Sequence, residues 1–348
     1  MIEDGNAAAG RPTIVDVAEA ADVSRQTVSN VINNPHRVAP HTRDRVFKEI
    51  ERLGFSPNLA ARALRRRKAG ALGIQVNAMM ERQLGNILDP FIVELTVAAR
   101  RHDFHIVTFA VDSHEDPTAE YEHLIAVQLV DGFVLTNTRI NDPRPRWLQA
   151  NRVPFVSFGR IWDDPSFTSW VDVDGFTGVA TGVRHLAEQG YSRVGFLGWP
   201  TGSQVGDDRR AGWLSATAEL GMAAPQLQAS AEQQVHAAAN AAAPLLDQLP
   251  DGGALICASD TLALGAWTVI RDRGLRPGVD VGLVGFDDTD LAKSFGITSL
   301  RQPLADIAET MLSIFSAPGT DGQPAVGEHV FMPAVVPRAS SSRTLLPP

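Results

Sequence analysis

Between residues 13 and 54, apolar positions recur at helical spacing in three short runs. Val17, Ala18 and Ala21 form the first stripe, behind Thr13 and Asp16 at capping-box spacing. Asp22-Val23 marks a tight turn. Ser24 caps a second helix whose Val28, Val31 and Ile32 face inward, and Asn33-Asn34-Pro35 stops it. Pro40 suits the first turn of a third helix, with Val46, Ile50 and Leu53 inward and Gly54 at its C-cap. Three short helices with a tight turn between the first two predict a helix-turn-helix domain over residues 12–56. Residues 57–68 are Ala- and Arg-rich with few apolar anchors, so a helix there needs outside support. We assign 57–69 to a hinge or linker, and the small, polar residues 1–11 to a disordered tail.

From Ala71 the rhythm changes to short apolar runs alternating with longer helical segments. Strands are predicted at 71–76, 105–110, 132–135, 154–158, 169–173, 193–197, 254–258 and 281–286. Helices are predicted at 90–102, 118–128, 175–189, 209–220, 237–249 and 259–273. A late helix at 303–315 and a strand around 328–332 follow. This alternation predicts an α/β body of doubly wound parallel sheets. Its length, residues 70–341, suits two subdomains. We place the first at about 70–160 plus about 290–325, and the second at about 161–289 plus about 326–341.

Charge changes the picture. The 348-residue chain carries a net charge of −9, which argues against nucleic acid. Residues 1–70, however, hold 12 Lys and Arg against 8 Asp and Glu, whereas the remainder holds 19 against 32. A basic head therefore sits on an acidic body, and the two have different partners. No apolar stretch reaches the ~18 residues of a membrane span, and no secretory signal opens the chain. One cysteine, Cys257, leaves no disulfide framework and no Cys-rich metal site. We expect a cytoplasmic protein, on the nucleoid when bound to DNA, with no metal or cofactor.

In a helix-turn-helix the start of the second helix meets base edges. Here those positions are Arg25 and Gln26, with Asn30 one turn on. Arg binds guanine bidentately, and Gln or Asn pairs with adenine. Thr13, Ser24, Thr27, Ser29, Asn33 and Thr42 supply short polar groups for phosphate oxygens. On an isolated helix the same side chains would be a solvated face.

The gap-free run T-I-x-D-V-A-x-x-A-x-V-S-x-x-T-V-S-x-V-I-N, from Thr13 to Asn33, decides between these readings. It resembles the headpiece of the lactose-repressor (LacI/GalR) family of bacterial transcription regulators. The resemblance continues through Val38, Thr42-Arg43, Val46, Leu53-Gly54-Phe55 and Pro57-Asn58, and more loosely through the body, as in Val284-Gly285-Phe286-Asp287-Asp288. Asp22 departs from it, standing where the family usually has Gly; Asp tolerates a left-handed turn better than most residues. The resemblance implies base reading by Arg25, Gln26 and Asn30. It matches Asn58, Ala61 and Leu64 to a hinge helix in which a leucine from each subunit wedges into the minor groove, as an apolar side chain can. Arg65, Arg66, Arg67 and Lys68 follow as a phosphate clamp or a solvated linker.

Doubly wound sheets take ligands at the carboxyl ends of their strands. Asn77, Arg160, Asp260 and Asp287 are polar groups just after predicted strands. The resemblance adds Arg209 as a ligand-contacting arginine, Asp287 as a hydroxyl-binding aspartate and Ser259 as a frequent ligand position. Phe91, Trp162, Trp199 and Phe286 are candidate platforms for an apolar sugar face, each with core packing as the alternative. Asp288 and Asp290 read as solvent-facing or capping.

No nucleophile elbow, phosphate loop, zinc-type His pair or dinucleotide fingerprint occurs, so catalysis is not expected. The sequence reads as a homodimeric, ligand-responsive DNA-binding regulator. In this reading it represses carbohydrate uptake or catabolism genes and leaves a palindromic operator when a mono- or disaccharide binds. The alternatives are a family member answering to a purine, nucleoside or partner protein, and a sugar-binding protein without DNA function.

Overall fold

The computed structural model describes residues 12–55, 69–76, 86–111, 116–162, 164–249, 251–317, 319, 324 and 327–342. The chain divides into two units, Met1–Ala69 and Gly70–Pro348.

In the first unit, α1 (Ile14–Ala20) opens with a complete capping box. The Thr13 hydroxyl accepts from the Asp16 amide, and the Asp16 carboxylate accepts from the Thr13 amide at 2.6 Å. Asp22 makes the following turn with φ +49°, in the left-handed region expected of it. Ser24 caps α2 (Arg25–Asn33), its hydroxyl accepting from the Thr27 amide. One 3-10 turn (Pro35–Arg37) leads to α3 (Pro40–Leu53), which ends at left-handed Gly54. Val17, Ala18, Ala21, Val28, Val31 and Val46 close the small core.

The second unit holds two six-stranded sheets. The first has the order β11-β5-β4-β3-β1-β2 and is parallel throughout. Its strands are β1 (Ala71–Val76), β2 (His105–Ala110), β3 (Gly132–Leu135), β4 (Phe155–Phe158), β5 (Ser169–Val173) and β11 (Gly327–Phe331). Around it lie α4 (Leu88–Arg101), α5 (Ala119–Ala126), α6 (Pro143–Ala150) and, late in the chain, α12 (Leu304–Ser316), which packs on α4.

The second sheet has the order β12-β10-β9-β8-β6-β7; only its β10–β12 pair is antiparallel. Its strands are β6 (Arg193–Gly198), β7 (Gln228–Ser230), β8 (Gly253–Cys257), β9 (Gly282–Asp287), β10 (Thr298–Arg301) and β12 (Ala334–Val336). Its helices are α7 (Gly175–Glu188), α8 (Gln204–Glu219), α9 (Val235–Asp247), α10 (Asp260–Asp272) and α11 (Asp290–Phe295). β8 and β9 are buried along their whole length, which explains their unbroken apolar runs.

The subdomain boundaries expected from the sequence need correction. Ser169–Val173 and Gly327–Phe331 pair in the first sheet, while Thr298–Arg301 pairs in the second. An apolar run says that a strand forms but not which neighbours take its hydrogen bonds. The chain therefore crosses between sheets three times, after β5, after β10 and after β11. Two crossings are tied together, the Asp174 amide donating to the Phe331 carbonyl. Asp288 is a second correction. Its carboxylate is buried and holds Arg301 at 2.6 Å and Arg338 at 2.5 Å, so it pins the chain beside the crossing after β10. Asp290 is exposed, as expected.

α7 and α8 pack closely because Gly212 leaves room: a Cβ there would lie 2.1 Å from the Phe176 carbonyl oxygen. Gly212→Ala should force the helices apart and destabilise the body by about 1–3 kcal/mol. Denaturant unfolding followed by tryptophan fluorescence measures it; an unchanged midpoint would refute the close approach.

Candidate functional site

The head presents one polar face. Arg25 and Gln26 open α2 and are exposed, and the Gln26 Nε2 donates to Asn30 Oδ1 at 3.1 Å, so these side chains share a helix face. The Ser24 and Thr27 hydroxyls are 2.9 Å apart at the same helix end, and Thr13 stands at the start of α1 with its hydroxyl on Asp16. Thr42 is half-buried in the first turn of α3. Ser29 is largely buried within α2, unlike the exposed Ser24 at its cap. The Asn33 side chain lies outside the described residues, as do Asn58, Ala61, Leu64 and the basic run 65–68.

In the body, the carboxyl ends of both parallel sheets collect polar side chains. In the first sheet Arg160 follows β4 after a turn at Gly159, φ +99°. Its Nε donates to Asp172 Oδ2 at 2.6 Å, and its guanidinium carbon lies 5.0 Å from the Trp162 ring centre and 5.9 Å from that of Trp170. The Thr138 hydroxyl holds the Arg160 carbonyl at 2.8 Å. Burial works against the Arg160 charge, but Asp172, with Asp208 and Asp174 behind it, holds the proton above the ordinary arginine range.

In the second sheet Arg209, from α8, is buried. Its guanidinium carbon lies 3.6 Å from the Phe286 ring centre and 5.3 Å from that of Trp199. Nη1 donates to the Ala258 carbonyl at the end of β8, and Nη2 stands 3.8 Å from Asp287 Oδ1. Nε finds no acceptor among the described residues. Burial lowers the Arg209 pKa, against the pull of Asp287, Asp172 and Asp208. Since Asp172 acts on Arg209, and Asp208 on Arg160, the charges of the two subdomains act on each other.

Asp287 ends β9 with φ +110°, a costly backbone for a side-chain residue, and Asp288 follows at +54°. This turn sets the Asp287 carboxylate beside Arg209, where Gln302 Nε2 donates to Oδ1 at 2.6 Å. Asp287, Gln302 and Leu304 also line a groove of about 1030 Å³ whose other side is Asp89, Pro90 and Val93 of α4.

Ser259 caps α10, and its hydroxyl donates to Gln233 Oε1 at 2.8 Å, which also accepts from Trp199 Nε1 at 2.7 Å. These groups cluster where β6 lies between β7 and β8, the point at which the strand order reverses.

Three expected ligand residues are differently employed. Phe91 is fully buried, its ring centre 4.5 Å from that of Phe158, so core packing won over stacking on a ligand. Asp260 has both oxygens taken, Oδ2 by the Thr289 amide and hydroxyl and Oδ1 by Ser299, so it braces α10 against β10. Phe286 is buried with Arg209 over its face, so it backs the arginine. Asn77 lies outside the described residues, and Trp162 is half-buried beneath Arg160.

Asp172, Asp208, Trp170, Gln233 and Gln302 were missed. Gln302 and Gln233 follow β10 and β7, short strands with no clear apolar run. Had those strands been read, the strand-end rule would have found both.

The sequence profile "Bacterial regulatory proteins, lacI family" matches residues 13–58, and that of the periplasmic binding protein-like domain matches 183–341. The regulator CelR of Thermobifida fusca is 33% identical over 304 residues, 84% of this chain and 87% of that protein. GalS of Salmonella typhimurium is 30% identical over 341 residues, 94% and 96% of the two chains. A solved complex of a regulator CelR with cellobiose matches with a TM-score of 0.69 at 29% identity, covering 95% of this chain and 100% of that one.

Burial pushes the Asp287 carboxyl up to about 7, although Arg209 draws it down. The folded body therefore keeps a proton that an unfolded Asp releases near pH ~4. The stability this carboxyl contributes is present below about pH 4 and is lost as pH rises through about 7. Asn mimics the protonated form, so Asp287→Asn should gain stability relative to the parent as pH rises from ~5 to ~7.5. Denaturant unfolding across that range checks it; a pH-independent difference would refute the assignment.

Proposed function

Because the chain belongs to the lacI family of bacterial regulatory proteins, a family of DNA-binding transcription regulators rather than enzymes, we propose that it is a sugar-responsive repressor. It acts in the cytoplasm, on the nucleoid when bound to DNA. Its targets are genes of carbohydrate uptake or catabolism, and it leaves a palindromic operator when a mono- or disaccharide fills the body's cleft.

A homodimer brings two headpieces to two half-sites. Arg25 donates in pairs to guanine, and Gln26 and Asn30 open their mutual hydrogen bond to pair with adenine. Thr13, Ser24, Thr27 and Thr42 meet phosphates. Asn58 meets the phosphate backbone, and Ala61 and Leu64 form the minor-groove segment.

The observation that carries the effector reading is the Arg209 centre. A buried N–H with no acceptor among the described residues, an aspartate and a glutamine amide converge there, with Trp199 beside them. Sugar hydroxyls both donate and accept, so they satisfy Nε and Asp287 together. The cellobiose complex of the similar regulator supports a carbohydrate. Arg160 and Asp172 stand on the other subdomain, and the three chain crossings between the sheets serve as the hinge. Ligand that binds the closed form better than the DNA-bound form shifts the equilibrium and releases the operator.

The decisive experiment is a DNase footprint on an operator upstream of carbohydrate genes, titrated with mono- and disaccharides. Loss of protection is expected; protection that persists at saturating sugar would overturn induction. Arg209→Ala should keep operator affinity and lose the sugar response, and a retained response would move the site elsewhere. Arg25→Ala or Gln26→Ala should cost about 1–3 kcal/mol on the operator and relax base preference in a binding-site selection. Unchanged preference would refute their role.

A further inference from the structure

Resting on the carbohydrate reading of the cleft, we propose that its effector is an uncharged polyol and that the site rejects phosphorylated and carboxylated sugars. Anions enter doubly wound folds at helix N-termini and at free arginines. At the starts of α7, α8 and α10, and at Asp172-bonded Arg160 and Asp287-facing Arg209, both kinds of subsite already carry the chain's own groups.

The helix starts show this first. At α7, Asp174 accepts from the Thr177 amide at 2.7 Å, and Asp208 from the Phe176 amide at 3.0 Å. At α8, Ser203 caps the helix, and Asp207 in the first turn accepts from the Gly202 amide. At α10, Ser259 caps the helix, and the first-turn residue is Asp260. A phosphate at any of these ends would meet a carboxylate where it needs an amide.

Both arginines are likewise engaged. Arg160 is bonded to Asp172 at 2.6 Å, and Arg209 faces Asp287 and the Ala258 carbonyl. Two guanidinium charges thus stand among Asp172, Asp174, Asp208 and Asp287. The groove that Asp287 opens into continues the trend. Its lining carries Asp89, Glu94, Asp288, Asp290 and Asp306 besides Asp287, against Lys293 and Arg301.

The Arg209 Nε is the independent pointer to a ligand. It is buried, has no acceptor among the described residues, and sits beside a carboxylate that accepts. A hydroxyl meets that pair as acceptor and donor at once, whereas a second carboxylate or a phosphate would be brought up against Asp172 and Asp208, two further carboxylates that act on Arg209. The same charge excess leaves room for any neutral ring that presents hydroxyls.

Calorimetry on the full-length protein tests the proposal with matched pairs: cellobiose and cellobionate, trehalose and trehalose 6-phosphate, adenosine and adenosine monophosphate. The neutral member of at least one sugar pair should bind, and its charged twin should bind at least tenfold more weakly. Asp208→Asn, which keeps an oxygen for the Phe176 amide, should narrow that gap severalfold. A charged sugar that binds as tightly as its neutral twin, or a gap that Asp208→Asn leaves unchanged, overturns the charge rule but not the carbohydrate reading. Adenosine binding with every sugar silent overturns the carbohydrate reading, and its comparison with the monophosphate then tests the charge rule by itself. Silence from all six ligands overturns both.

Discussion

A guanidinium held inside the second subdomain is the constraint around which the body is arranged. An isolated buried charge is expensive, and removing the partner of a buried ion pair costs about 3–5 kcal/mol. Arg209 is compensated from three strands at once: the Ala258 carbonyl after β8, Asp287 ending β9, and Gln302 after β10, which fixes the Asp287 carboxylate. Phe286 and Trp199 flank it, and a desolvated cation over an aromatic face gains about 2 kcal/mol. The strained turn at Asp287 and Asp288 is the local cost of aiming the carboxylate. The second of those residues recovers part of it by pairing with Arg301 and Arg338. Only its Nε finds no acceptor among the described residues.

Head and body meet opposite electrostatic demands within one chain. The head exposes Arg25, Gln26 and a row of hydroxyl caps whose chemistry suits a polyanion. The body concentrates carboxylates around its cleft and groove, a surface that a polyanion avoids. The overall −9 averages over this division and conceals it.

How much of this was legible in the sequence depended on the range of the interaction involved. Capping, turn chemistry and helical spacing are local, so Thr13 with Asp16, left-handed Asp22, Ser24 and Gly54 could all be read from neighbours a few residues apart. The same holds for parallel strands buried on both faces, such as β8 and β9. Strand partnership is not local. Ser169–Val173 reads as a strand, but nothing in its own residues says that it lies between β4 and a segment about 160 residues later. Short β7 and β10, QAS and TSLR, carry no apolar run to mark them, and Gln233 and Gln302 disappeared with them. Burial of polar groups was the hardest to foresee. Asp260 and Asp288 follow or precede strands in the manner of ligand or surface residues, yet the partners that claim them, Ser299 and Arg338, stand 39 and 50 residues away.

The three crossings between the sheets also bear on how the protein can be made. The first sheet begins at Ala71 but takes its edge strand from Gly327–Phe331, and the second takes its own from Ala334–Val336. Neither subdomain is a continuous stretch of chain, so neither can be completed during synthesis until the last strands have left the ribosome. A premature stop near residue 320 would not spare one half at the expense of the other. It would leave two sheets each lacking an edge, and a headpiece, complete within its first 55 residues, attached to a body unable to close. Quality control of this regulator is therefore written into its strand order: the parts that recognise DNA form early, and the part that responds to a ligand exists only when the chain is nearly finished.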